Sequence, residues 1–308
     1  MAERYIVVGE ETTFGSPVTP DKYIDIRREA VVFDVGVIPV ETVYSRDTRK
    51  YVFGKALARG PIDFAVEPEN VAHLFKWALG SVTTSGAGPY THDFTPADTV
   101  KSFTAIINPE QETYGFFRKL SGCLVERLTL ESALDVLTGS VEIVAAKEEK
   151  DTAFTPSVSL SPLAPFVFHE ATLTLGGADK SSVLKAFRLT VGNNLPVDDM
   201  YAHGDKHLRR ILVGRREVEV QMELAFEDSA DYDRLLAGTE VAASLSFVKT
   251  AGSAELLIDL PRMVYHSDVA PHIAGRDPFT VVAPCQVLYD SAAGYEVKIQ
   301  VKNNVAGY

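Results

Sequence analysis

Between positions 217 and 226, Val218, Val220, Met222, Leu224 and Phe226 alternate with Glu217, Glu219, Gln221, Glu223 and Ala225. Strict alternation predicts a strand with one dry face and one wet, acidic face. A short helix is expected to start near Asp228-Ser229, whose side chains accept free N–H groups. It should stop at Gly238, which tolerates left-handed backbone angles. The pattern has a weaker twin, in which Ile62, Phe64 and Val66 alternate and a short helix fits between Glu69 and Gly80. Ile38-Pro39-Val40 precedes the first unit and Leu195-Pro196-Val197 the second, 157 residues apart, and the closing glycines are 158 apart. Each copy also passes through a tyrosine, Tyr44 or Tyr201, into a basic segment. Shared order over about 40 residues, at an offset near half the chain, predicts an internal duplication.

The remaining pattern is mainly β. Short apolar or alternating runs predict strands at 23–26, 31–35, 102–107, 115–117, 124–130 and 140–145 in the first half. In the second they fall at 171–175, 187–191, 244–248, 255–260, 280–282, 286–289 and 295–301. The expected fold class is therefore mainly β, with two tandem β-sandwich or partial-barrel domains, each carrying one short α-helix. Residues 1–20, with turns at Gly15-Ser16-Pro17 and Thr19-Pro20, read as an extended N-terminal arm. The stretch from Lys147 to Pro165, with its charges, serines and three prolines, reads as a linker. The expected division is an arm at 1–20, a first domain at 21–150, a linker at 151–165 and a second domain at 166–308.

Length and charge narrow the functional classes. At 308 residues the chain is long enough for two domains of ordinary size, each with its own core. No apolar run approaches the roughly 20 residues that span a membrane, and the N-terminus lacks the basic and apolar segments of a signal peptide. Two cysteines, Cys123 and Cys285, make no disulfide framework and are expected to be buried thiols, which fits assembly in a cytoplasm. A net charge of −12 argues against general binding to a phosphate backbone.

The basic segments stand out against that acidic background. Arg46, Arg49, Lys50, Lys55 and Arg59 are interleaved with Tyr51 and Phe53, and the second half offers His203, Lys206, His207, Arg209 and Arg210. Three readings are open: a solvated loop, a nucleic-acid surface, or a loop that docks on the acidic surface of another copy, where complementary charge sets register. Enzymatic chemistry finds little support. His203 and His207 have helical ligand spacing, but Gly204 lies between them and no further ligand set accompanies them. His266 and His272 flank a proline-containing loop and are expected in solvent. Gly9 and Gly15 lack the Gly-Lys-Ser/Thr of a phosphate loop, and no Gly-x-Ser-x-Gly elbow is present. Trp77, in an apolar helix with Leu74 and Leu79, reads as core rather than as a sugar platform. No catalytic residue, cofactor or metal is assigned.

The arm Glu11-Thr-Thr-Phe-Gly-Ser-Pro-Val-Thr-Pro20, the segment from Val37 to Gly80, and Gly88-Pro-Tyr-Thr-His-Asp-Phe-Thr-Pro96 together resemble the tail tube (major tail) proteins of long-tailed bacterial and archaeal viruses. The resemblance covers about a third of the chain. It implies a structural virion protein, with a β-sandwich or partial barrel whose inner strands form a continuous barrel in six-domain rings. Those rings stack into a tube that conducts DNA without binding it specifically. It also implies tape-measure, baseplate and tail-terminator proteins as partners, and no membrane. With two tube-like domains per chain, the expected ring holds three chains. Lumen candidates are then Asp63 and Glu67 in one half and Glu217, Glu219 and Glu223 in the other. Ring-stacking candidates are Arg46, Arg49, Lys50, Tyr51 and Lys55, with His203, Lys206, His207, Arg209 and Arg210, and the N-terminal arm supplies a second inter-ring contact. A trimeric baseplate hub is the alternative within the same machine. A carbohydrate-binding or hydrolytic β-sandwich is the alternative of another class.

Overall fold

The computed structural model describes residues 4–249, 254–266 and 280–308; His272 lies outside them. The chain starts with strands β1 (Ile6–Glu10), β2 (Lys22–Ile24) and β3 (Arg28–Glu29), followed by a long hairpin of β4 (Val32–Val40) and β5 (Lys50–Ala65). Helix α1 (Ala72–Leu79), the hairpin β6 (Gly80–Ser85) and β7 (Tyr90–Pro96), and β8 (Phe103–Ile107) come next. A single turn, α2 (Gln111–Tyr114), leads into the hairpin β9 (Phe117–Ser132) and β10 (Thr138–Asp151). The second half contains β11 (Ala171–Leu175), β12 (Ala178–Asp179), β13 (Leu184–Gly192), β14 (Glu217–Ala225), α3 (Ala230–Ala237), β15 (Val241–Val248), β16 (Glu255–Tyr265), β17 (Thr280–Val287) and β18 (Lys298–Asn303).

All pairings are antiparallel, and fourteen of the strands make two face-to-face runs, while β2, β1 and β8 extend from one end of β9 and β3 pairs with the end of β5. The first sheet is ordered β4-β5-β10-β9-β13-β14-β17. The second is ordered β6-β7-β18-β16-β15-β11-β12. A short pairing of Met263–Tyr265 with Cys285–Val287 joins them at one corner, and the system does not close into a barrel. The alternation read in the sequence holds: Val218, Val220, Met222 and Leu224 are buried, as are Ile62, Phe64 and Val66. Both helices end where expected, on left-handed glycines, Gly80 at φ 105° and Gly238 at φ 61°.

Three expectations change. Each sheet contains strands from both halves, because β9 pairs with β13 and β7 with β18. One apolar cluster therefore runs through the whole sandwich, holding Leu128 and Leu130 together with Leu189 and Val191, in place of two separate cores. The N-terminal segment is not a free arm. Its apolar run Ile6–Val8 is buried between β2 and β8, because three consecutive apolar residues and six ladder-forming backbone groups find partners there. Buried Glu11 then fixes the turn that follows, accepting hydrogen bonds from Gly15 N, Ser102 Oγ, Thr104 Oγ1 and Gly122 N at 2.8–2.9 Å. Finally, the charged residues 147–151 continue β10 along β9, so the irregular connection begins only after Asp151.

Candidate lumen and assembly surfaces

Antiparallel register lines up the outward side chains of the first sheet. Asp63, Ser140, Thr129, Thr190, Glu219 and Gln286 are direct cross-strand neighbours in one row over six strands. The row crosses from the first half of the chain to the second at Thr129–Thr190, with no interruption in the ladder. Period-two alternation forces this arrangement, since the neighbouring row (Phe64, Gly139, Leu130, Leu189, Val220 and Cys285) faces the core. Gly139 is required in that inner row: a Cβ there would sit 2.3 Å from the Phe64 ring.

Charge is uneven across the polar face. In the first half the acids have partners: Ser140 Oγ donates to Asp63 at 2.6 Å, and Arg127 Nη1 is 3.4 Å from Glu142. Glu131 pairs with Arg188 across the seam at 2.9 Å. Glu217, Glu219 and Glu223 on β14 have no ion pair among the described residues, so the net negative charge concentrates on the second half. Glu67 does not join this face. It lies past the end of β5, half-buried beside Asp25 and Glu69, and burial first and then those two carboxylates push its pKa up to about 7.

The ten stacking candidates divide into two environments. The first group lies on the β4–β5 hairpin, where register sets Val37 opposite Phe53, Ile38 opposite Val52 and Val40 opposite Lys50. Adjacent residues alternate between faces, yet Ile38, Tyr51, Val52 and Phe53 are all more than half exposed, and Tyr44 at the turn is 81% exposed. Both faces of the hairpin end are therefore open, and it stands clear of the sandwich. Arg46, Arg49, Lys50, Tyr51 and Lys55 are exposed on or beside it, with Arg49 stacked 5.0 Å from the Tyr44 ring and Tyr51 edge-on to Phe53.

The second group lies in residues 193–216, and that segment is docked rather than free. Met200 and Leu208 are buried against Leu124, Val144 and Ala146. Lys206 O accepts from Ala56 N at 2.8 Å, Tyr201 Oη donates to Ala56 O at 3.1 Å, and His207 Nδ1 is 2.9 Å from Ala146 O. Lys55 Nζ pairs with Asp198 at 2.6 Å and sits over the Tyr201 ring. Asn193, which no sequence motif marks, donates to Ala78 O and Val125 O at 2.9 Å and ties the segment to the end of α1. His203, Lys206, Arg209 and Arg210 remain exposed, with Arg210 bonded to Asp199 O and Arg209 3.5 Å from Asp205. The two basic segments thus meet, the second buttressing the base of the hairpin formed by the first. The signal that would have separated them is apolar spacing: Leu195, Val197, Met200, Leu208 and Ile211 punctuate the second segment, while the first carries its apolar residues in strands.

The helices differ in the same way. Seven of the eight α1 residues are buried, with Trp77 stacked at 4.3 Å on Phe103 and its Nε1 donating to Glu10. None of α3 is buried, and Leu236 is 69% exposed. Both thiols are buried, and burial pushes Cys285 up to about 12 and Cys123 well above its ordinary value. Among the described residues no three His, Cys, Asp or Glu side chains converge as a metal site, and no helix is long and apolar enough to cross a membrane.

A family model described as phage tail tube protein matches residues 1–287. No curated protein gives a significant match to the chain.

Proposed function

Because the chain belongs to the family of phage tail tube proteins, we propose that three copies close into a ring, that rings stack into the tail tube, and that the polar face of the first sheet lines its bore. The row from Asp63 to Gln286 carries this reading, since one uninterrupted face draws strands from both halves of the chain. Each chain holds two strand–helix–hairpin units, β5-α1-β6-β7 and β14-α3-β15-β16, so three chains supply six around the ring. Closure is head to tail. Among the described residues β4 lacks a strand partner on its outer side, and an exposed strand edge is a ready site for pairing with a neighbouring copy.

The unpaired Glu217, Glu219 and Glu223 give the bore three acidic lanes per ring. Phosphates passing them are repelled rather than bound, so DNA slides. In this role the protein's partners are its own copies, a tape-measure protein within the bore during assembly in the host cytoplasm, and baseplate and terminator proteins at the two ends. Electron microscopy of the purified chain is the test. Hollow tubes whose reconstruction places three chains in each ring, with β14 at the bore, are expected. Six chains per ring, or a bore lined by the second sheet, would overturn the reading.

A further inference from the structure

From the positions of the hairpin and of α3 we infer that the tip of the β4–β5 hairpin of one copy seats on the open face of α3 in a copy of the next ring, a contact that rests on the tube reading above. Direction is the first argument. From β5 to β14 the first sheet takes four antiparallel steps, so the two strands run the same way. β5 begins at the hairpin tip, and β14 ends at α3. Tip and α3 therefore lie at opposite ends of the same sheet, and identical rings stacked in one sense bring one against the other.

The second argument is vacancy. The equivalent helix α1, at the same end of the sheet, is already covered by β1, Phe103 and Tyr308, whose ring packs 4.8 Å from His73. Of these two equivalent helices, α3 is the one with an uncovered stripe, formed by Ala230, Asp233, Leu236 and Ala237. Each chain thus has one projecting tip and one open helix, matched one to one.

Chemistry supplies the third. The tip presents Tyr44 and Val43 with Arg46, Arg49 and Lys50, against two carboxylates in 41–50. Residues 227–240 hold five carboxylates, of which Glu227 and Asp228 share Lys180, Asp231 pairs with Arg234 and Glu240 with Arg262, so this surface carries two more acids than bases and Asp233 has no cation beside it among the described residues. An apolar cleft floored by Val183, Leu224 and Val281 opens beside Tyr232 at the foot of this acidic rim. A basic, aromatic tip and an acidic rim around exposed Leu236 are complementary in charge and polarity.

The test is a double variant, Val43→Cys with Leu236→Cys, assembled into tubes and oxidised with copper-phenanthroline. The native thiols are buried and do not compete. A ladder of covalent dimers, trimers and longer files on a denaturing gel is expected, with no species beyond dimers from either single variant. Tubes that form but give no ladder overturn the contact and leave the tube reading standing; a wild-type chain that never forms tubes overturns the tube reading instead. Should the double variant fail to assemble, charge reversal decides. Glu227→Lys with Asp233→Lys is expected to shorten tubes about tenfold, and adding Arg46→Glu with Arg49→Glu to restore them. Restoration failing while each pair alone shortens tubes overturns the contact.

Discussion

The two strand–helix units occupy equivalent places in one sandwich, yet the first is finished within the chain and the second is not. α1 reads Ala-His-Leu-Phe-Lys-Trp-Ala-Leu and is wrapped on all sides but that of Lys76, while α3 reads Ala-Asp-Tyr-Asp-Arg-Leu-Leu-Ala and is half in solvent. The loops reverse the pattern. Before β5 the hairpin projects; before β14 the segment folds back and supports it. The difference is the one expected if, as proposed, the contacts that α3 and the hairpin lack come from another copy of the chain.

That asymmetry is open to breakage, beginning with the helices. In the dilute, unassembled chain, Trp77→Ala is expected to lose about 3–5 kcal/mol in urea unfolding, whereas Leu236→Ala stays within about 0.5 kcal/mol of wild type. Comparable losses at the two sites would mean that α3 is packed after all. Next come the loops: Met200→Ala opens a cavity under the docked segment and should cost about 2–4 kcal/mol, while Tyr44→Ala at the tip leaves the melting temperature unchanged and shortens tubes.

A smaller effect separates the joints between strand and helix. Glu67 precedes α1, and the position 158 residues on is Ala225. Its folded pKa of about 7 lies above the ordinary 4.5, so the folded state binds the proton more tightly. The stability this confers is complete below pH ~4.5 and is lost as pH rises through ~7. Glu67→Gln should therefore match wild type at pH 4 and exceed it at pH 8 by about 1–2 kcal/mol, allowing for the carboxyl's partial contact with water. An equal gain at both pH values would place its origin outside the titration. The smallest effect is at the seam, where a double-mutant cycle on Glu131 and Arg188, both substantially exposed, should return about 0–1 kcal/mol.

Much of this was legible in the sequence. Alternation placed the buried residues of β14, and glycine chemistry placed both helix ends. The acidic face of β14 was visible as period-two glutamates. The polar row itself was not, because β9–β13 pairing joins residues about 60 apart and no local pattern encodes it. Exposure of the β4–β5 hairpin was equally hidden: Val37, Ile38, Val52 and Phe53 have the composition of a core strand, and only the absence of anything packed on them reveals otherwise. The run Ile6–Val8 reads as an arm in the sequence because its two strand partners lie at 22–24 and 103–107. Glu67 keeps the parity of Asp63, but the ladder stops at Ala65, and no alternation in the sequence marks that end.

The β9–β13 seam has a kinetic consequence. In the ring of three chains proposed above, half of the six junctions would form as each polypeptide folds, at the high effective concentration that covalent connection provides. Closing the ring then requires three molecules to meet rather than six, so nucleation depends far less steeply on protein concentration. A ring closing from three such chains would therefore start at lower chain concentrations than one that needs six separate partners.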